Sequence, residues 1–124
     1  MDTGAYKSKQ HFNQGDIVLV SYPYSDYKGV KTRPAIIISN NIFNVSYQDI
    51  LLIPLTSIIR GEEVSVILNS DDLSSGKLLR TSVARIDKLA SIDKKRIKAI
   101  VGKIRGPILD IILEKCQAIL TKTV

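Results

Sequence analysis

The sequence predicts a mainly β protein, a small and mostly antiparallel barrel or sheet with one packed C-terminal helix. Three observations carry that expectation. Short β-branched runs such as Ile17-Val18-Leu19-Val20 and Ala35-Ile36-Ile37-Ile38 are bounded by turn or polar residues. Val64-Ser65-Val66-Ile67-Leu68 opens with the apolar/polar alternation of a half-buried strand. Clear helical spacing of apolar residues is confined to the C-terminal segment. A chain of 124 residues has room for one core. The expected organisation is a polar tail over residues 1–12 and one domain over residues 13–124.

The first two strands flank a loop, Tyr22-Pro23-Tyr24-Ser25-Asp26-Tyr27-Lys28-Gly29, punctuated by Pro, Ser, Asp and Gly. The loop returns through Lys31-Thr32-Arg33-Pro34. Pro34 biases Arg33 toward an extended backbone, so its guanidinium sits at a stiff strand start. There it offers a planar fork of donors that matches a phosphate. Asn40 to Gln48 reads as an irregular connection or a single helical turn, and Asp49 to Ser57 as a third apolar strand. Pro54, having no donor, marks a strand end or bulge, and Thr56-Ser57 just beyond it is placed to line a cleft.

Arg60 to Glu63 reads as a turn before the strand ending at Leu68. Asn69 to Gly76 is turn-rich, and Asp71-Asp72 there are expected to be turn and cap residues, because no EF-hand spacing surrounds them. Lys77 to Leu89 reads as one long strand, with Arg80, Ser82 and Ala84 on one face and Thr81, Val83, Arg85 and Asp87 on the other. Asp93 is placed as the N-cap of a short basic helix, and Ala99 to Ile104 as a final strand. Gly106-Pro107 then opens the terminal helix. Its stripe is Ile108, Leu109, Ile112, Leu113, Cys116, Ile119 and Leu120, which makes Cys116 a core residue.

Composition excludes several chemistries. One Cys and one His make neither a disulfide, a zinc set nor a two-histidine acid/base pair. No Walker lysine loop or dinucleotide fingerprint occurs, so no cofactor is expected. The N-terminus lacks the apolar region of a signal peptide and no apolar run approaches a membrane span, so a cytoplasmic location is the default expectation. Lys and Arg outnumber Asp and Glu by 18 to 12, a formal charge of +6. That charge suits either plain solubility or an anionic partner. The crowding of Lys28, Lys31 and Arg33 on one loop, with Arg80 and Arg85 on another strand, favours the partner.

RNA makes cofactor-free and histidine-free chemistry feasible, because its own 2′-OH is the nucleophile. The protein must then align that oxygen, offset charge on the phosphorane and assist two proton transfers. Arg33 with Thr56 is the pair suited to the electrostatic part. The competing structural readings are a salt bridge for Arg33 and a turn hydroxyl for Thr56.

The ordered motifs resemble the MazF/PemK (Kid) family of bacterial toxins, which are mRNA endoribonucleases. The matching elements are Gly15-Asp16-Ile17-Val18 with the Tyr-Pro-Tyr loop, Lys31-x-Arg33-Pro34, Pro54-Leu55-Thr56-Ser57, Thr81 to Asp87 and Ser91-Ile92-Asp93. The resemblance spans Gly15 to Leu120 and implies an SH3-like barrel of the PemK/CcdB type. It implies a homodimer that cuts single-stranded RNA without metal, leaving 2′,3′-cyclic phosphate and 5′-OH ends, and that is covered by an acidic antitoxin. It also implies a catalytic set of Arg33, Thr56, Arg85 and Asp87. Asp87 is preferred as the base, because an arginine holds its proton too tightly. Lys28, Lys31, Ser57 and Ser82 are expected to bind RNA, with Tyr24 and Tyr27 available to stack bases. Two rival readings share the fold: a gyrase-directed, CcdB-like interaction toxin and a non-catalytic nucleic-acid-binding barrel.

Overall fold

The computed structural model describes residues 11–23, 30–58 and 65–123. Within them one antiparallel sheet contains β1 (Asp16–Pro23), β2 (Val30–Ile37), β3 (Asp49–Thr56), β4 (Ser65–Leu68), β5 (Leu73–Gly76), β6 (Ser82–Arg85), β7 (Ala90–Asp93) and β8 (Ile97–Ile104). The spatial order is β4-β6-β3-β2-β1-β8-β5, with β7 pairing β3 off that path. A short helix α1 (Asn41–Ser46) links β2 to β3, and α2 (Gly106–Leu120) ends the fold. The sheet curls into a half-barrel, so the mainly β architecture with a C-terminal helix is the one the sequence predicts.

Both faces of the central strands are buried, which is why those strands read as continuous apolar runs. Alternation sends Ile17 and Ile36 to one cluster with Ile53, Leu55 and Leu68, and sends Val18, Val20, Ala35 and Ile37 to another with Ile50 and Leu52. Helix α2 belongs to the first cluster through Ile112 and Cys116. Full burial of a side chain such as Ile112 contributes about 1.5–3 kcal/mol relative to exposure. Burial also pushes the Cys116 thiol pKa up, as fits a core cysteine. The apolar stripe is longer than the face the core covers, because Ile119 and Leu120 in the last turn are exposed.

Asn40 to Gln48 resolves as the single short helix. The Asn40 side chain accepts from Phe43 N–H at 2.8 Å. Asn44, buried, donates to the carbonyls of Phe12 and Ser39 at 2.9 Å each. The expected basic helix is one 3-10 turn, Lys94–Arg96, whose cap Asp93 accepts from Lys95 N–H at 2.8 Å. Asp72 is likewise a cap residue: it accepts from Asn69 N–H at 2.9 Å, opening the 3-10 turn Ser70–Asp72. The edge strand β5 follows in place of the expected turn: Leu73-Ser74-Ser75-Gly76 carries no strand pattern and pairs only through β8. The expected turn at 60–63 and the tail before residue 11 lie outside the described residues.

The reading of Lys77 to Leu89 as one strand is corrected. Only Ser82–Arg85 pair, between β3 and β4, and Ile86–Lys88 form a 3-10 turn before β7. The reason lies in β3, which takes two successive partners. Asp49 to Leu52 pair with β7, and Leu55 and Thr56 pair with β6. Pro54 sits at the changeover, where neither ladder asks for its missing N–H.

Candidate active site

The start of β2 is laddered to β1, with Val20 opposite Arg33 and Leu19 opposite Pro34. Its ladder to β3 begins just after the proline, with Ala35 opposite Pro54. Continuing that register by two residues sets Arg33 opposite Thr56, the last residue of β3. On its other side Thr56 pairs with Val83 of β6. Opposed residues share a sheet face, as do alternate residues along a strand. Arg33, Thr56 and Val83 therefore form a row across three strands. Arg85 lies diagonally from Thr56, at a separation of about 7–8 Å for such positions. Three residues distant in sequence meet on one face.

Arg85 is held by Asp87. Its Nε donates to Oδ1 at 2.9 Å and its Nη2 to Oδ2 at 2.7 Å, a bidentate fork. The contact depends on the 3-10 turn, which folds Asp87 back toward the end of β6, and not on strand alternation. The Arg85 guanidinium holds the Asp87 carboxyl below the usual carboxylate range. A carboxylate so engaged is a weaker proton acceptor than a free one, and the fork aims the Arg85 guanidinium.

The Thr56 hydroxyl accepts from Ile58 N–H at 3.2 Å, so the turn role weighed against catalysis is realised. That bond uses a lone pair and leaves the hydroxyl proton for donation elsewhere. Ser57 is exposed beside it. Ser82, in contrast, is buried and donates to the Arg80 carbonyl at 3.1 Å. A direct contact of Ser82 with a ligand would compete with that bond.

An open cleft of about 630 Å³ has Lys31, Arg33, Thr56, Ser57 and Ser82 in its lining, whereas Arg85 and Asp87 do not contribute to it. The lining also includes a segment that sequence reasoning missed, Lys77-Leu78-Leu79-Arg80. The available signal was a pair of cations flanking two leucines immediately after Gly76. Lys28, Tyr24 and Tyr27 lie outside the described residues. Among the described residues no three His, Cys, Asp or Glu side chains gather closely enough to hold a metal ion.

A curled antiparallel sheet carrying arginines and a hydroxyl on one face defines a small basic β protein. Residues 13–120 match the family described as PemK-like, MazF-like toxin of type II toxin–antitoxin systems, and the chain belongs to that family. None of the curated proteins matches the sequence. Solved structures match in fold. A MazE–MazF structure from Deinococcus radiodurans aligns with a TM-score of 0.74 at 20% identity, covering 92% of this chain and 100% of that one. An endoribonuclease in complex with its cognate antitoxin, from a Mycobacterial species, gives 0.72 at 18% identity, covering 88% and 94%. The Mycobacterium tuberculosis toxin MazF-mt6 gives 0.66 at 16% identity, covering 86% and 99%.

Proposed function

We propose that this toxin-family chain is a sequence-selective endoribonuclease that cuts single-stranded mRNA by attack of the substrate's own 2′-OH. O2′ bonds to the scissile phosphorus as the P–O5′ bond breaks. The 2′-OH gives its proton to solvent water and O5′ takes one from water, leaving a 2′,3′-cyclic phosphate and a 5′-hydroxyl. The observation that carries this reading is the convergence of Arg33, Thr56 and Arg85 on one sheet face. Arg33 and Arg85 offset the charge that develops on the phosphorane, and the Thr56 O–H donates to a non-bridging oxygen. Asp87 acts through Arg85 as a positioning residue. Lys31 and Ser57 hold the strand beside the reacting phosphate, with Lys28, Tyr24 and Tyr27 of the preceding loop as further contacts. The scheme asks for no metal, because the nucleophile belongs to the substrate and guanidinium groups supply the positive charge.

In the same proposal the chain works as a cytoplasmic homodimer and is neutralised by an acidic antitoxin segment. The formal charge of +6 supports attraction to such a segment. So does the antitoxin bound to the Mycobacterial endoribonuclease of similar fold.

The test is cleavage of a long single-stranded RNA in EDTA by wild type and by Arg33→Ala at matched folding. Discrete cyclic-phosphate products from wild type alone are expected. Intact RNA with several unrelated substrates would favour a gyrase-directed or purely binding protein, and equal cutting by both proteins would remove Arg33 from the chemistry.

A further inference from the structure

We infer that Lys77–Arg80 is a second, substrate-binding wall of the cleft. Lys77 and Arg80 take an RNA phosphate flanking the scissile one, and Leu78 and Leu79 receive the face of an intervening base. This rests on the endoribonuclease reading for which phosphate is cut, but not for the binding itself.

The first support is charge. Among the described residues the cleft lining carries Lys31, Arg33, Lys77 and Arg80 and no acidic side chain. Lys77 and Arg80 are both exposed, and among the described residues neither side chain has an ion-pair partner. Two cations kept unpaired in a concave site attract a polyanion.

The second support is rigidity. The segment belongs to no strand or helix, yet its backbone is pinned at Leu78 and Arg80. Leu78 N–H donates to Ser70 Oγ at 3.0 Å, and Ser70 Oγ donates back to the Leu78 carbonyl at 3.2 Å. Ser82 Oγ holds the Arg80 carbonyl at 3.1 Å. Just before the segment, Gly76 at φ +76° packs so closely on β8 that a Cβ there would lie 2.2 Å from the Val101 carbonyl oxygen. On this fixed backbone Leu79 is 97% exposed beside Arg80, while Leu78 packs against the first core cluster. A pre-ordered segment loses little freedom on binding, which favours a recognition role over a loose connection.

The third support identifies the occupant. Cations alternating with apolar surface match the phosphates and base faces of a single strand. The wall shares one cleft with Arg33 and Thr56, so a single extended ligand can meet both. An acidic protein segment would answer the charge, at Arg33 as well as here, but its carboxylates offer nothing to the exposed Leu79, whereas an RNA base does. Ser82 then acts as a positioning residue for Arg80.

The experiment measures anisotropy of a short, fluorescent, mixed-sequence 2′-O-methyl RNA, which cannot be cut, over a series of KCl concentrations. It compares wild type, Lys77→Ala/Arg80→Ala, Arg80→Lys and, as a control outside the cleft, Lys122→Ala. Loss of the one phosphate that Lys77 and Arg80 share is expected to lower the slope of log affinity against log salt by about 0.7 in the double variant. Arg80→Lys and Lys122→Ala keep the wild-type slope. Steady-state cleavage by the double variant is expected to show a raised KM with kcat retained. An unchanged slope in the double variant, with wild type binding, overturns the inference and leaves the ribonuclease intact. Binding and slope loss without any cleavage by wild type sinks the ribonuclease reading and keeps the wall. Absence of wild-type binding overturns both.

Discussion

On the proposed function, Thr56→Val should separate chemistry from folding. Valine keeps the β-branch and nearly the volume of threonine, so the pairing of this position with Val83 at the end of β3 persists. What disappears is the hydroxyl. In the folded protein that hydroxyl accepts from Ile58 N–H at 3.2 Å in an exposed setting, where water can replace it. Its loss therefore costs folding at most about 0.5–1.5 kcal/mol. A domain of ordinary stability, about 5–15 kcal/mol, stays almost wholly folded after such a loss. In the transition state the same hydroxyl would donate to the phosphorane, and removing one such donor costs about 2.7–4 kcal/mol, or 10²–10³ in kcat. Only the second effect is large enough to appear in a rate. The assay is single-turnover RNA cleavage with enzyme in excess, paired with thermal unfolding of the same preparations. Thr56→Ser should recover most of the rate, since it restores the donor. If Thr56→Val cuts within about threefold of wild type, a barrier change under about 1 kcal/mol, the hydroxyl is a turn residue only and the assignment fails.

Asp87→Asn should lower kcat/KM by about 10- to 100-fold through a misaimed Arg85, while the fold persists. Because the folded pKa of Asp87 is lowered, its pair with Arg85 is complete above the unfolded carboxylate pKa and is lost as pH falls through the lower folded value. Wild type should thus keep Arg85 in place to more acidic pH than an ordinary aspartate would allow, and Asp87→Asn should lack that acid limb in a pH–rate profile; identical limbs in both proteins would refute the role. Gly76→Ala should destabilise by about 3 kcal/mol or more, combining a left-handed backbone with a collision against the Val101 carbonyl. Gly106→Ala, where a Cβ meets nothing within 4 Å, should be near neutral. Urea midpoints compare the two, and a wild-type midpoint for Gly76→Ala would show that β5 and β8 can part cheaply.

What could be read from the sequence, and what could not, divides by the range of the signal. The runs at Ile17–Val20 and Ala35–Ile38, the proline-led terminal helix and the Asp93 cap are local patterns, and each appears where it was expected. Arg33 and Thr56 were legible as candidates, but their meeting depends on the β2–β3 register. A slip of one residue there would put them on opposite faces. The long strand drawn through Lys77 to Leu89 failed because nothing local reveals that β3 must serve two partners in turn. That reading put Arg85 beside Asp87 by alternation, whereas the structure joins them through a 3-10 turn. The Lys77–Arg80 wall was illegible for a further reason. Its position comes from Ser70, Gly76 and Ser82 contacting distant backbone, and such contacts have no period in the sequence. The cleft therefore has two sides with different physical origins. Arg33 and Thr56 are placed by ladders that also hold the core, so they cannot shift without cost to the fold. The Lys77–Arg80 segment is placed by small turn residues, while Lys77, Leu79 and Arg80 are exposed on it and do not support the core. If the proposed function holds, substitutions at those three positions should change which RNA is held and leave the Arg33–Thr56 row undisturbed.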